Sequence, residues 1–183
     1  MRRYHLLEVY GVELEYMIVD RGTLRVRPLV DELFRDVAGE YVTDVDRGPI
    51  EWSNELVNHV IELKTNGPAG SLTGLADACH TSVRDINELL APRDAMLLPG
   101  GSHPLMDPMS ETTLWPHQWR EIYSLYDRMF DCRGHGWSNV QSLHINLPFD
   151  GDEEFGKLHA AIRVLLPIMP ALAASTPIIE GQL

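Results

Sequence analysis

The chain has 183 residues, 44% of them hydrophobic and 23% charged, which is enough apolar material for one globular domain and too much for a disordered tail. Its 15 Lys+Arg against 27 Asp+Glu give a formal net charge of −12, which disfavours nucleic acid as a partner and favours the holding of cations. Cys79 and Cys132 alone make neither a disulfide framework nor a thiolate zinc site, and with no apolar leader or long apolar run the expectation is a cytoplasmic protein with no membrane partner.

In chain order, the first predicted strand covers residues 6–20. Strand side chains alternate faces, so Val12, Leu14, Tyr16 and Ile18 form an apolar stripe while Glu13 and Glu15 leave the opposite side together, about 7 Å apart. Two like charges on a half-buried strand repel unless something positive lies between them, and a divalent cation with its preference for hard oxygen ligands is the simplest such object. An edge strand with one wet face accounts for the same pattern without an ion. Asp20-Arg21-Gly22-Thr23 turns the chain. A helix over 28–38 follows, opened by Pro28, sided by Leu29, Leu33, Phe34 and Val37, and closed by Gly39.

A second strand is predicted over 50–65, from the alternation of Val57, His59, Ile61 and Leu63 with Asn58, Val60, Glu62 and Lys64. Glu62 sits among branched apolar residues, where a charge needs a partner; Lys64 on the same face is one candidate and a bound cation is the other. Asn66-Gly67-Pro68 breaks this strand, and an amphipathic helix over 71–90 puts Leu72, Leu75, Cys79, Val83, Ile86 and Leu90 on its apolar side, with His80 solvated. A third strand over 95–98 runs into the Gly/Pro-rich loop that carries His103, and a helix over 116–130 follows. The fourth strand, 139–147, places Ser142, His144 and Asn146 on one face and Gln141, Leu143, Ile145 and Leu147 on the other, a pattern that suits a lined cleft. The last helix, 152–174, contains Pro167 and Pro170 and should kink there. Half-wet strands alternating loosely with helices favour an α+β layer with an antiparallel sheet.

No Walker loop, dinucleotide fingerprint, Gly-x-Ser-x-Gly elbow or His-Glu-x-x-His occurs in the sequence. A sheet face with carboxylates and a histidine then points to nucleotide phosphates bridged by metal ions. Five stretches carry a resemblance: Gly11-Val12-Glu13-Leu14-Glu15; Glu55 with the run from His59 to Thr65; Gly101-Ser102-His103-Pro104; the run from His135 to Pro148; and Ala173-Ala174-Ser175-Thr176-Pro177. Together, in this order along nearly the whole chain, they resemble glutamate–cysteine ligase family 2, the carboxylate–amine ligases.

The resemblance implies an antiparallel, curved, glutamine-synthetase-like sheet with helices packed on one face. It implies Glu13, Glu15 and Glu62 as catalytic metal ligands holding Mg2+ or Mn2+ and His144 as a further catalytic metal ligand or a phosphate contact, with Gln141, Asn146 and His103 on the substrate side. ATP is the implied co-substrate: its γ-phosphoryl group passes to the carboxylate of a small molecule such as an amino acid, and an amine displaces phosphate from the acyl phosphate. Residues 1–183 correspond to the N-terminal portion of such a catalytic domain, whose later half supplies further strands, an acidic ligand and an arginine for the transferring phosphate. The corresponding expectations are an incomplete sheet, little ligase activity from these residues alone, and a homo-oligomer formed through open edges. A metal-dependent hydrolase using the same side chains and a non-catalytic assembly domain are the rival classes.

Overall fold

Alternation along the first strand divides the molecule into two apolar clusters and an acidic surface. In the computed structural model, which describes residues 2–183, β1 spans Gly11–Asp20. Ile18 lies in one buried cluster with Leu14 and Tyr16 packed against it, and Met17 and Val19 lie in a second cluster on the opposite face. Glu13 and Glu15 share that second face, so the acidic surface and the second cluster meet between Glu15 and Met17.

The other strands are β2 (Asp44–Arg47), β3 (Ile50–Asn54), β4 (Val60–Thr65), β5 (Ala95–Leu98) and β6 (Leu143–Asn146). They form one antiparallel sheet in the order β2-β3-β4-β1-β5, with β6 also paired to β1. Along its second edge β1 has two partners in tandem: β6 pairs from Gly11 to Leu14 and β5 from Met17 to Asp20. Helices α1 (Val30–Ala38) and α2 (Leu75–Leu90) cover the face carrying Trp52, Ile61, Leu63 and Leu97, contributing Leu33, Phe34, Cys79 and Ile86 to a common core. Each such apolar side chain contributes about 1.5–3 kcal/mol on burial. Gly39 ends α1 at φ +83°, where its N–H donates to the Arg35 carbonyl at 2.8 Å.

Several predicted elements are redrawn. The first strand starts at Gly11, because His5 and Glu8 close a turn through their backbones and Leu7 takes φ +65°. The alternation over 50–65 belongs to two antiparallel strands, β3 and β4, separated by Glu55–His59. Asn58 holds that reversal, giving its side-chain N–H to the Pro28 carbonyl and to Asp31 and accepting from the Asp31 N–H. A strand absent from the prediction, β2, joins β3 through the two-residue turn Gly48-Pro49, with Gly48 at φ +80°.

Helix α2 begins at Leu75, which leaves Leu72 exposed. Two short helices, α3 (Pro108–Glu111) and α5 (His135–Ser138), were not predicted, and α4 covers only Arg120–Phe130. The last helix is not kinked but divided, into α6 (Gly151–Leu165) and α7 (Met169–Ala173), on either side of Pro167. Neither piece has a buried residue. Among the described residues no helix is long and apolar enough to cross a membrane.

Candidate active site

The antiparallel register brings together side chains that lie far apart in sequence. Glu15 pairs across from Glu62, Glu13 from Lys64 on one side and from His144 on the other, and Gly11 from Asn146. On the β3 side Ser53 pairs with Glu62 and Glu51 with Lys64. Because paired residues share a face, one face of the sheet collects Glu51, Ser53, Glu62, Lys64, Glu13, Glu15, His144 and Asn146.

Each glutamate is positioned by a neighbour. Glu13 uses both oxygens on β6: Asn146 Nδ2 donates to Oε1 at 2.6 Å, and His144 Nδ1 lies 2.9 Å from Oε2. Glu15 Oε2 accepts the Ser142 N–H at 2.8 Å, with His144 Nδ1 3.9 Å from its other oxygen. Glu62, 8% exposed, accepts the Ser53 hydroxyl at 2.7 Å. Lys64 is not its dedicated partner, since Nζ lies 3.2 Å from Asp44 and 3.3 Å from Glu51 but 3.7 Å from Glu62.

Glu55, part of the resemblance but assigned no role by it, sits in the reversal between β3 and β4. The only hydrogen bond to its carboxylate among the described residues is a long one, 3.4 Å, from the Leu56 N–H. Burial, followed by the nearby charges of Glu15 and Glu62, pushes its carboxyl up to about 8. Burial likewise raises Glu62, with Glu13 and Glu15 adding to the rise and the Ser53 hydroxyl and Lys64 opposing it. Two groups of possible ligands result: Glu13, Glu62 and His144 in one, and Glu15, Glu55 and Glu62 in the other, each with atoms within 4.8 Å of one another. Glu62 belongs to both. Among the described residues no arginine pairs with any of these four carboxylates.

Three cavities border the cluster, the largest, about 730 Å³, along Glu15, Gln141 and Ser142, and two smaller ones. One of about 270 Å³ is lined by Glu15, Glu55, Val60, Tyr123, Tyr126 and Trp137, among others. The other, about 380 Å³, includes Tyr10, Glu13, Lys64 and Asn146.

The remaining candidates divide. His103, expected on the substrate side, is 2% exposed and lines neither of the two smaller cavities. Its Nδ1 accepts the Leu105 N–H at 3.0 Å and its Nε2 lies 2.7 Å from the Leu24 carbonyl, so both ring nitrogens serve the loop. Gln141 spans the gap between β6 and β5 along β1, where its Oε1 accepts the Met17 N–H at 2.9 Å. Its side-chain oxygen thus does the work of a missing strand partner. Gln141→Leu should therefore lower stability by about 1–3 kcal/mol, measured by chemical denaturation, and leave divalent-cation affinity unchanged. Unchanged stability would remove this assignment.

The family model for glutamate-cysteine ligase family 2 matches residues 9–183. A protein of Archaeoglobus fulgidus, named only as uncharacterized, is 39% identical over 173 residues, covering 94% of this chain and 46% of its own. A protein provisionally named glutamate–cysteine ligase 2 in Cupriavidus metallidurans is 27% identical over 186 residues, covering 94% of this chain and 43% of its own. One provisionally named glutamate–cysteine ligase 2-3 in Rubrobacter xylanophilus is 24% identical over 176 residues, covering 94% and 44%. The chain thus spans less than half the length of these relatives.

Proposed function

This chain belongs to glutamate–cysteine ligase family 2, and on that premise we propose that its acidic sheet face forms part of the active site of an ATP-dependent carboxylate–amine ligase. Membership supports a ligase-type enzyme, and the acidic face adds the ions, the nucleotide and the reaction course to that proposal. The observation that carries it is the pair of ligand groups sharing Glu62, with Lys64 the only cationic side chain among the described residues within salt-bridge reach of it.

The donor set fits Mg2+ or Mn2+. Four carboxylates supply hard oxygens, a single imidazole is compatible with Mn2+, and no thiolate is present to select a softer metal. Burial first, and then the charges of Glu15 and Glu62, drive Glu55 towards its neutral form, and a cation bound beside it would favour the ionised carboxylate. Glu13, Glu62 and His144 would hold one ion, and Glu15, Glu55 and Glu62 a second. Bound there, divalent ions offset the repulsion between ATP phosphates and a substrate carboxylate.

The protein's own part is positioning. Asn146 and His144 fix Glu13, the Ser142 N–H fixes Glu15 and the Ser53 hydroxyl fixes Glu62, so the ligand oxygens sit on rigid strands. The cavities on either side give separate room for two reactants. In the reaction, a carboxylate oxygen of the donor attacks the γ-phosphorus and ADP leaves; the amine nitrogen then attacks the acyl carbon, phosphate leaves and the nitrogen loses a proton. With no arginine beside the carboxylates to meet charge on the transferring group, these residues alone should give little turnover.

The test is thermodynamic coupling between metal and nucleotide. Calorimetric titration with Mn2+ and a non-hydrolysable ATP analogue should show each tightening the other, by about 5–150-fold. Nucleotide binding indifferent to Mn2+ would defeat the proposal.

A further inference from the structure

The cavity beside Glu15 and Glu55 has a chemical character of its own. Its carboxylate edge faces rings from two helices: Tyr123 and Tyr126 from α4 and Trp137 from α5. Val60, 2% exposed, also lines it. The rings are supported from behind. Phe130 stacks on Trp137 with centroids 5.7 Å apart and an interplanar angle of 19°, and tilts against Tyr126 at 6.2 Å. The Tyr123 hydroxyl accepts a hydrogen bond from Asn54 Nδ2 at 3.1 Å, which ties α4 to the end of β3. Tyr126 and Trp137 nevertheless remain 43% exposed, so their ring surfaces are open to a ligand.

Charge narrows what that ligand is. Among the described residues no lysine, arginine or histidine lines the cavity, while two carboxylates do. Glu55 has no side-chain partner among the described residues, and a carboxylate that gives one oxygen to a metal keeps the other for an N–H donor. Aromatic faces beside carboxylates attract an organic cation, through the ring quadrupole and through direct ion pairing. In the metal-free chain the same surroundings repel a carboxylate, which would stand next to Glu15 and Glu55 with no lysine, arginine or histidine among the described side chains that line the cavity. A volume of about 270 Å³ lies below the range of roughly 300–1,000 Å³ typical of drug-sized ligands, so the occupant is small.

We propose that this cavity binds the acceptor amine, and that the amine is a small primary ammonium with an apolar or aromatic body and no carboxylate. The word acceptor rests on the ligase reading above; the binding preference does not. Tyr126 and Trp137 are the specificity-determining rings, and Glu15 and Glu55 meet the nitrogen.

Phenethylamine is a suitable probe, with phenylalanine adding a carboxylate, 2-phenylethanol removing the charge and ethylamine removing the ring. Calorimetric titration of the metal-free chain, without nucleotide, should show phenethylamine binding at one site and each comparator weaker by about tenfold or more. Trp137→Ala and Tyr126→Ala should each weaken phenethylamine by about tenfold, Trp137→Phe should largely restore it, and Met129→Ala, outside the cavity, should leave it unchanged. Phenylalanine binding as tightly as phenethylamine, no saturable phenethylamine binding, or binding untouched by both alanine variants would overturn the proposal. A chain that binds phenethylamine this way but shows no coupling between Mn2+ and nucleotide would keep the amine site and lose the ligase reading.

Discussion

Glu62→Gln should abolish divalent-cation binding in both halves of the acidic cluster, lowering Mn2+ affinity by at least about 100-fold. Glu62 is the one side chain common to both ligand groups, so removing its charge removes a ligand from each. Glutamine keeps the volume of the side chain and can still accept the Ser53 hydroxyl, which separates loss of a ligand from loss of packing. Glu13→Gln and Glu55→Gln touch one group each, and should reduce the number of bound ions from two to one. Metal-free Glu62→Gln should also melt higher than the parent, because burial and the Glu13 and Glu15 charges already disfavour the ionised form of Glu62. A variant that binds Mn2+ like the parent would mean that the ions sit elsewhere.

The second large effect is a fall in the stability of the metal-free chain as pH rises from 6.5 to about 8. Glu55 titrates near 8 in the fold against 4.5 as its ordinary value, so over that interval the folded chain holds a proton that the unfolded chain has released. A raised carboxyl contributes stability that is fully present below 4.5 and is lost as pH climbs through about 8, at roughly 1.4 kcal/mol per pH unit. His59 pulls the other way at lower pH. Burial depresses it from 6.5 to about 4, so stability falls as acid protonates the unfolded chain through that range. The two slopes oppose each other between 4.5 and 6.5, and above 6.5 Glu55 acts without His59, giving a loss of about 2 kcal/mol by pH 8. Saturating Mg2+ should flatten that fall by favouring the ionised carboxylate, and Glu55→Gln should flatten it without metal. Denaturant midpoints across this pH range decide the matter, and a fall that persists in Glu55→Gln would assign it to another group.

Local rules in the sequence reached Glu13, Glu15, Glu62 and His144 of the cluster and not Glu55. Glu13 and Glu15 are legible because they alternate with Leu14, Tyr16 and Ile18 on a strand whose other face needs burial. His144 and Asn146 follow from the same period of two, and strand pairing puts His144 directly across from Glu13. Gly39 closes a helix because a positive φ there suits a residue without Cβ.

Glu55 was hidden by an accident of pattern. Val57, His59, Ile61 and Leu63 alternate as though one strand ran through them, and the reversal depends on Asn58 finding Pro28 and Asp31, contacts 30 and 27 residues away in sequence. Propensity carries no record of such contacts. For the same reason β2 gave no signal: Asp44 and Asp46 occupy the wet face of a short polar strand, leaving Val45 as its single buried residue. The rings of Tyr126 and Trp137 lie on two helices, and only the fold shows that they meet over Glu15 and Glu55. His103 misled in the other direction, because a histidine in a Gly/Pro-rich loop looks available until Leu24 and Leu105 are seen to occupy both ring nitrogens.

The most direct test of the metal-centred account is anomalous diffraction from crystals of the chain grown with Mn2+. Two peaks are predicted, one among Glu13, Glu62 and His144 and one among Glu15, Glu55 and Glu62, with carboxylate oxygens about 2.0–2.2 Å from each ion. An ordered cluster with no peak at either position, or Mn2+ found only among Asp44, Glu51 and the outer acidic residues, would contradict it.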